Sequence, residues 1–285
     1  MKKWLLLSVL MFGTVAVAVT GTKKIMVKAD PDGGIRSVES INGIPNGRYE
    51  RRDSKGRLLE EGTYQDGKRI GPATVYYSSG KIAIKNSYKD DKKDGLEKKY
   101  YNNGVLAQEG SYKDGAPDGM WKSYNESGKL ILEGAYKDGI PDGEYKNYNS
   151  DGGKAISNFE NGEINGLYQK YDSNGNLLVR GNFKDGLPNG SWNSYYPNGD
   201  IQEESTMKNG YREGKYVAYY ENHQIDNTGN YHNGQREGHW KFYKENGALL
   251  FECDCHMDQC VTADGDEVEI KTVDSKSETG LFKIP

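Results

Sequence analysis

Apolar and polar positions along this chain repeat with a period far longer than any single strand or helix. Glycines at 47, 71, 95, 119, 143, 166, 190, 214 and 238 recur every 24 residues, with one interval of 23 between Gly143 and Gly166. Two residues after this anchor stands an aromatic in seven copies (Tyr49, Trp121, Tyr145, Tyr168, Trp192, Tyr216, Trp240), with Ala73 and Glu97 as exceptions. Five residues after it stands a tyrosine in eight (Tyr76, Tyr100, Tyr124, Tyr148, Tyr171, Tyr195, Tyr219, Tyr243), with Arg52 as the exception. Rings at this density favour a pleated, half-buried surface, so the segment predicts a strand. A register held over some 200 residues means a stacked array.

Nine residues after the anchor stands a second glycine, which usually follows Asn, Asp or Ser, as in Asn103-Gly104 and Asn198-Gly199, and His223 replaces it once. Such pairs supply the positive φ of a tight hairpin. A second strand follows, with an aliphatic eleven residues after the anchor (Leu58, Ile82, Leu106, Leu130, Leu177, Ile201, Ile225, Leu249), often a glycine at fifteen and an aromatic at seventeen. These three positions share parity, which places them on one face. The mid-strand glycine (Gly62, Gly110, Gly134, Gly181, Gly229) would otherwise weaken the strand, and most simply leaves room for a ring. A turn such as Lys137-Asp138-Gly139-Ile140-Pro141-Asp142-Gly143 hands the chain to the next hairpin. The expected fold is all-β: an elongated single-layer antiparallel meander of nine hairpins, roughly 85 Å long and roughly 17–23 Å wide. The rings at two and five residues have opposite parity, so either a bulge re-aims one set or both faces carry rings.

Outside the periodic region the pattern changes. Asp32–Gly43 matches Asp151–Gly162 in spacing and reads as a leading half-repeat, so the array runs over 32–255. Residues 19–31 show no periodicity and read as a leader. Residues 1–18 have the layout of a cleavable export signal: Lys2 and Lys3, an apolar run from Trp4, and Ala16-Val17-Ala18 as the processing site. That run is slightly short for a membrane span, which favours cleavage over an anchor. Residues 256–285 read as a C-terminal cap and tail.

Composition sharpens the picture without changing it. Apolar residues make up 34% of the 285, too few for a thick two-layer core, yet 22 Tyr and 37 Gly are unlike a disordered chain. The net charge is −4, and loss of Lys2 and Lys3 would leave 36 bases against 42 acids, or −6. Acids and bases are interspersed, which argues against a nucleic-acid partner.

Candidate chemistry is sparse. Cys253, Cys255, His256 and Cys260 are the one local concentration of soft ligands, able in principle to hold zinc or copper. The spacing matches no standard zinc knuckle, and the export signal favours a disulfide locking the cap. Cys255 or Cys253 would pair with Cys260, the first pairing being the working choice, and no metal or other cofactor is expected. The Asp-Gly steps at Asp114, Asp138 and Asp185 offer too few converging oxygens for calcium and read as turns. His223, His232 and His239 fall at different repeat positions, and no nucleophile or zinc-protease motif occurs, so the chain is expected not to be an enzyme. The remaining candidates are the ring rows: Trp121, Tyr124, Tyr145, Tyr148, Tyr168, Tyr171, Trp192, Tyr195, Tyr216, Tyr219, Trp240 and Tyr243. Most are expected to be core, but a one-layer sheet cannot bury both faces, so some should form a binding platform.

Segments such as Gly119–Asp142 and Gly238–Glu252 resemble the MORN repeat variant, a bacterial relative of the membrane occupation and recognition nexus repeat. The likeness covers about Asp32 to Cys255, with length, rings and both glycines matching together. It implies a β-hairpin array that binds or scaffolds, with no catalytic residues to carry over. Some bacterial members bear an antitoxin-family label, and eukaryotic ones are associated with membranes and scaffolds. The acidic balance argues against anionic membrane binding. The function expected is an exported, non-catalytic module that binds a protein partner at the envelope or cell surface, with weak edge-to-edge self-association through an open last strand. A carbohydrate or cell-wall binding module and an antitoxin or immunity partner are the alternatives.

Overall fold

The structure, a computed structural model, describes residues 16–20, 23–268 and 270. Among these there is no helix, and the chain is an antiparallel meander. It divides into two compact units between Asn147 and Tyr148. The expected signal lies mostly outside the described residues. The cut expected after Ala18 would fall inside a strand, Ala16–Thr20, which pairs with Lys23–Ala29.

The copy anchored at Gly119 represents the local structure. Strand Gly119–Tyr124 pairs with Leu130–Lys137, which pairs in turn with Ile140–Tyr148. In the first loop the Asn125 carbonyl accepts from Gly128 N–H at 2.9 Å, and the Asn125 side chain accepts from the Ser127 and Lys129 amides. The second turn, Asp138-Gly139, has φ of 51° and 86° and is flanked by the Lys137–Ile140 pair. Two successive positive φ values make the mirror-image turn whose twist suits a two-residue hairpin. The tight turn is thus the Asp-Gly step. The Asn-Gly step lies in a longer loop, where its glycine alone takes positive φ (94° at Gly104).

These Asp-Gly turns also stitch the repeats together. The Gly139 amide donates to the Pro117 carbonyl at 2.8 Å, and Gly67 to Pro45 and Gly210 to Pro188 do the same at 2.8 and 2.9 Å. Proline suits this position because the contact uses its carbonyl and asks nothing of its missing N–H.

The reading that placed the aliphatics on the ring side is corrected by a bulge. Trp121 pairs with Gly134 and Ser123 with Leu132, but Tyr124 pairs with Leu130, leaving Ile131 as an extra residue. The same shift occurs in the copies anchored at Gly47, Gly71, Gly95, Gly166, Gly190, Gly214 and Gly238. One inserted residue reverses the parity of everything beyond it. Leu130 therefore shares the side of Tyr124, opposite Gly134 and Tyr136.

On the inner face the rings form a column in each unit. Tyr112, Trp121, Tyr136 and Tyr145 follow one another with centroids 5.2 to 6.3 Å apart. In the second unit Trp192 lies on Tyr168 and Phe183, and Trp240 on Tyr216 and Tyr231, at 5.1 to 5.7 Å. Each such contact is worth about 0.5–1.5 kcal/mol beyond the area it buries. The mid-strand glycines are the seats of these rings. A Cβ at Gly110 would lie 2.1 Å from Trp121, and one at Gly181 2.0 Å from Trp192.

The leader reading of 19–31 is also corrected. Lys23–Ala29 pairs along its length with Ile35–Ile41, without a bulge, and Asp30 and Gly34 close the loop between them. The apparent half-repeat is the second strand of a hairpin whose first strand is hidden by its lysines.

Candidate functional site

The twelve nominated rings separate into two sets of opposite character. Trp121, Tyr145, Tyr168, Trp192 and Trp240 are buried and Tyr216 is mostly covered, so the rings two residues after the anchor are interior and form no binding face. The reason is the glycine seat: a ring laid flat on a neighbouring Cα is closed off from above by the next ring edge.

The other set stays half-exposed on the opposite face, and the bulge sets an aliphatic directly beside the ring in seven copies. In the first unit the cross-strand pairs are Tyr76–Ile82, Tyr100–Leu106 and Tyr124–Leu130. In the second they are Tyr171–Leu177, Tyr195–Ile201, Tyr219–Ile225 and Tyr243–Leu249. Tyr148 is likewise half-exposed at the start of its unit. Ile201, Ile225 and Leu249 are exposed, so the stripe is apolar and open to solvent.

Carboxylates edge this stripe and tie down its phenols. Tyr124 and Tyr219 donate to Glu109 and Glu204 at 2.9 Å, and Tyr76 donates to Glu61. Lys98 and Tyr124 hold the Glu109 carboxyl below the ordinary range, so it is a charged acceptor at neutral pH. Partial burial, then Glu109, pushes the Tyr124 phenol up, keeping it a donor. The result is a row of oriented rings edged by carboxylates, of which Glu61 and Glu109 are ion-paired with Arg48 and Lys98.

A second row of tyrosines went unrecognised in the sequence. Tyr101 donates to the Tyr124 carbonyl one repeat on at 2.8 Å, as do Tyr196 to Tyr219 and Tyr220 to Tyr243. The signal was available as Tyr-Tyr doublets at 76–77, 100–101, 195–196 and 219–220. Where the second tyrosine is Asp53, Asn125 or Asp172, that side chain caps its own loop instead.

Two other regions gather charged or soft side chains. Near the first hairpins the inner face opens into a cleft of about 480 Å³, lined in part by Met26, Val38, Tyr49, Arg51, Tyr64 and Arg69. Two of its charges, Arg36 and Arg51, are both committed to Asp30. At the far end, Cys255 and Cys260 form a disulfide between facing strands and Cys253 is a buried free thiol. His256 is exposed and bonds to Glu237, away from the sulfurs. His223, His232 and His239 stand beside Asp200, Glu213 and the Asp254–Glu252 pair, at different positions of the repeat and exposed.

The sequence profile of the family described as the MORN repeat variant matches this chain six times, at residues 69–90, 93–114, 117–138, 164–185, 188–209 and 236–254. Each match spans the two strands of one hairpin, with a mid-strand glycine in three of the six, Gly110, Gly134 and Gly181. This chain is a MORN repeat protein. MORN repeats are a non-catalytic repeat type. The three copies outside the six matches each depart from the MORN pattern: Arg52 stands at a tyrosine position, the Gly143 copy is one residue short, and His223 replaces the loop glycine. A search of curated proteins found no match to this MORN protein.

Proposed function

We propose that this MORN protein is an exported, non-catalytic module that binds or scaffolds a protein partner at the cell envelope or surface. The observation that carries the reading is the open stripe of tyrosine–aliphatic pairs with a carboxylate margin. Half-exposed rings already held in one rotamer by Glu109 or Glu204 lose little entropy on docking, and tyrosine is enriched where interfaces concentrate their energy. Export is supported by the amino-terminal pattern of charged, apolar and small residues. Glu204, on the margin of the stripe, favours a partner that presents apolar side chains flanked by lysine or arginine. The alternatives are a carbohydrate or cell-wall binding module and an antitoxin-type partner.

The test is crosslinking capture from envelope fractions, with the native chain beside a variant carrying Tyr195→Ser, Tyr219→Ser and Tyr243→Ser. A discrete protein retained by the native chain and lost from the variant is the expected result. A protein retained equally by both, or retention on cell-wall glycan with no protein partner, would overturn the proposal.

A further inference from the structure

The ring column of the second unit ends in sulfur. Cys253 faces Trp240 across the strand pair, in the register position that Gly134 takes opposite Trp121. Cys255 occupies the aromatic position two residues on, and Cys260 lies opposite it on the next strand. All three are between 2% and 4% exposed, packed among Tyr231, Trp240 and Phe251. Their three sulfurs lie within 4.8 Å of one another, and Cys253 Sγ is 3.9 Å from Cys255 Sγ.

Two chemistries compete for such a trio. In the first, Cys253 attacks the Cys255–Cys260 bridge. Thiolate attack on a disulfide proceeds along the sulfur–sulfur axis. With the 3.9 and 4.8 Å separations and a bridge of about 2.05 Å, the approach angle at Cys255 is at most about 105°. Cys253 sits beside the bridge, not behind it. In the second, the sulfurs converge on one centre. Metal–thiolate bonds of about 2.3 Å place sulfurs about 3.8 Å apart in a tetrahedral set and about 4.0 Å apart in a trigonal one, and the Cys253–Cys255 separation fits both.

An independent feature points to an anion here. Arg236 is 8% exposed, its guanidinium lies 5.2 Å from the Trp240 ring, and its buried Nε has no hydrogen-bond partner. Its charge has one carboxylate, Asp258, at 3.8 Å. A buried cation with a spare donor, lying over the Trp240 ring that faces Cys253, suits a centre that carries excess negative charge. Coordination number then selects the ion. His256, adjacent in sequence, is exposed and held by Glu237, so the protein offers three ligands and a dry apolar wall. Three soft thiolates without a fourth donor match monovalent copper better than zinc.

We propose that opening of the Cys255–Cys260 bridge by a dithiol reductant converts this end of the array into a site for one monovalent copper ion, held by Cys253, Cys255 and Cys260. In the opening step the dithiol gives two electrons and two protons to the bridge and becomes a disulfide. Copper then displaces three thiol protons, and Arg236 offsets one of the two net negative charges of the resulting centre.

The test titrates the full chain anaerobically with monovalent copper against a chromophoric chelator, before and after reduction and removal of the reductant. One equivalent bound after reduction and none before is expected. Cys253→Ser should weaken binding well over tenfold, and His256→Ala should leave it unchanged. Equal binding by the oxidised chain, no binding after reduction with strand content intact by circular dichroism, or unchanged affinity in Cys253→Ser would each overturn the proposal. Should Cys253→Ser fail to fold, Cys260→Ser serves in its place with the same expectation. Preference for zinc over copper would overturn the choice of ion.

Discussion

Replacing Gly181 with alanine isolates the contact on which the ring column rests. Its φ lies outside the left-handed region, so alanine meets no backbone strain. By chain entropy alone alanine should stabilise a strand interior by about 0.5–1 kcal/mol. Against this, the new Cβ would stand 2.0 Å from Trp192 Cε3 and 2.5 Å from Cζ3, so the ring must move by more than about 1 Å to reach ordinary contact. Trp192 has little freedom to do so, being 8% exposed and wedged against Tyr168 and Phe183. Overpacking of this kind costs about 1–3 kcal/mol, and a clash with both partners anchored belongs near the top of that range. The net expectation is a loss of about 2 kcal/mol, or a Tm lower by about 4–8 °C. The chain contains its own rescue. One repeat on from Gly181 the seat position holds Ser205, and the ring position that follows it holds Tyr216, a larger seat with a smaller ring. Combining Gly181→Ser with Trp192→Tyr copies that pair and should recover most of the loss caused by Gly181→Ser alone. Urea midpoints by circular dichroism decide the matter. A neutral or stabilising Gly181→Ala, or no recovery in the paired variant, would refute the ring-on-glycine argument.

Further expectations follow from the same contacts. Tyr101→Phe removes the 2.8 Å bond to the Tyr124 carbonyl and should cost about 1 kcal/mol in urea unfolding; an unchanged midpoint would discount the tyrosine ladder. Glu97 is 1% exposed and paired with Lys93 and Lys99 where other copies carry a ring, so Glu97→Tyr with Asn86→Gly should be neutral or stabilising by about 1–4 kcal/mol, and a lower Tm would contradict this. His223 sits at φ 66° in a glycine position, so His223→Gly should raise stability by about 1 kcal/mol by thermal melting. Burial pushes the phenols of Tyr49, Tyr145 and Tyr216 well above the ordinary tyrosine value of about 10. The unfolded chain therefore releases these protons first. The stability they contribute is whole below pH about 10 and declines as pH rises toward the folded values. Equal urea midpoints at pH 8 and pH 11 would refute it.

The repeat length, the hairpin, the turn glycines and the family were all legible in the sequence, because each follows from local requirements. Asp138-Gly139 needs two positive φ values, and alternation in Gly119–Tyr124 needs only the pleat of a strand. What the sequence left open was which rings face where. Tyr124 and Trp121 have opposite parity in any strand, but only pairing reveals that Ile131 is a bulge and that Leu130 joins Tyr124. A bulge belongs to two strands at once, so it has no signature in either alone. For the same reason Lys23–Ala29 read as a leader, since its membership of the sheet comes from its partner, Ile35–Ile41, and not from rings of its own. Burial likewise depended on tertiary structure. Trp240 and Tyr243 are equally aromatic, yet one lies on Gly229 and is fully covered while the other is left half open beside Leu249. Local propensity sets the period of this molecule. Contacts between neighbouring repeats decide which of its two ring rows is interior and which is surface.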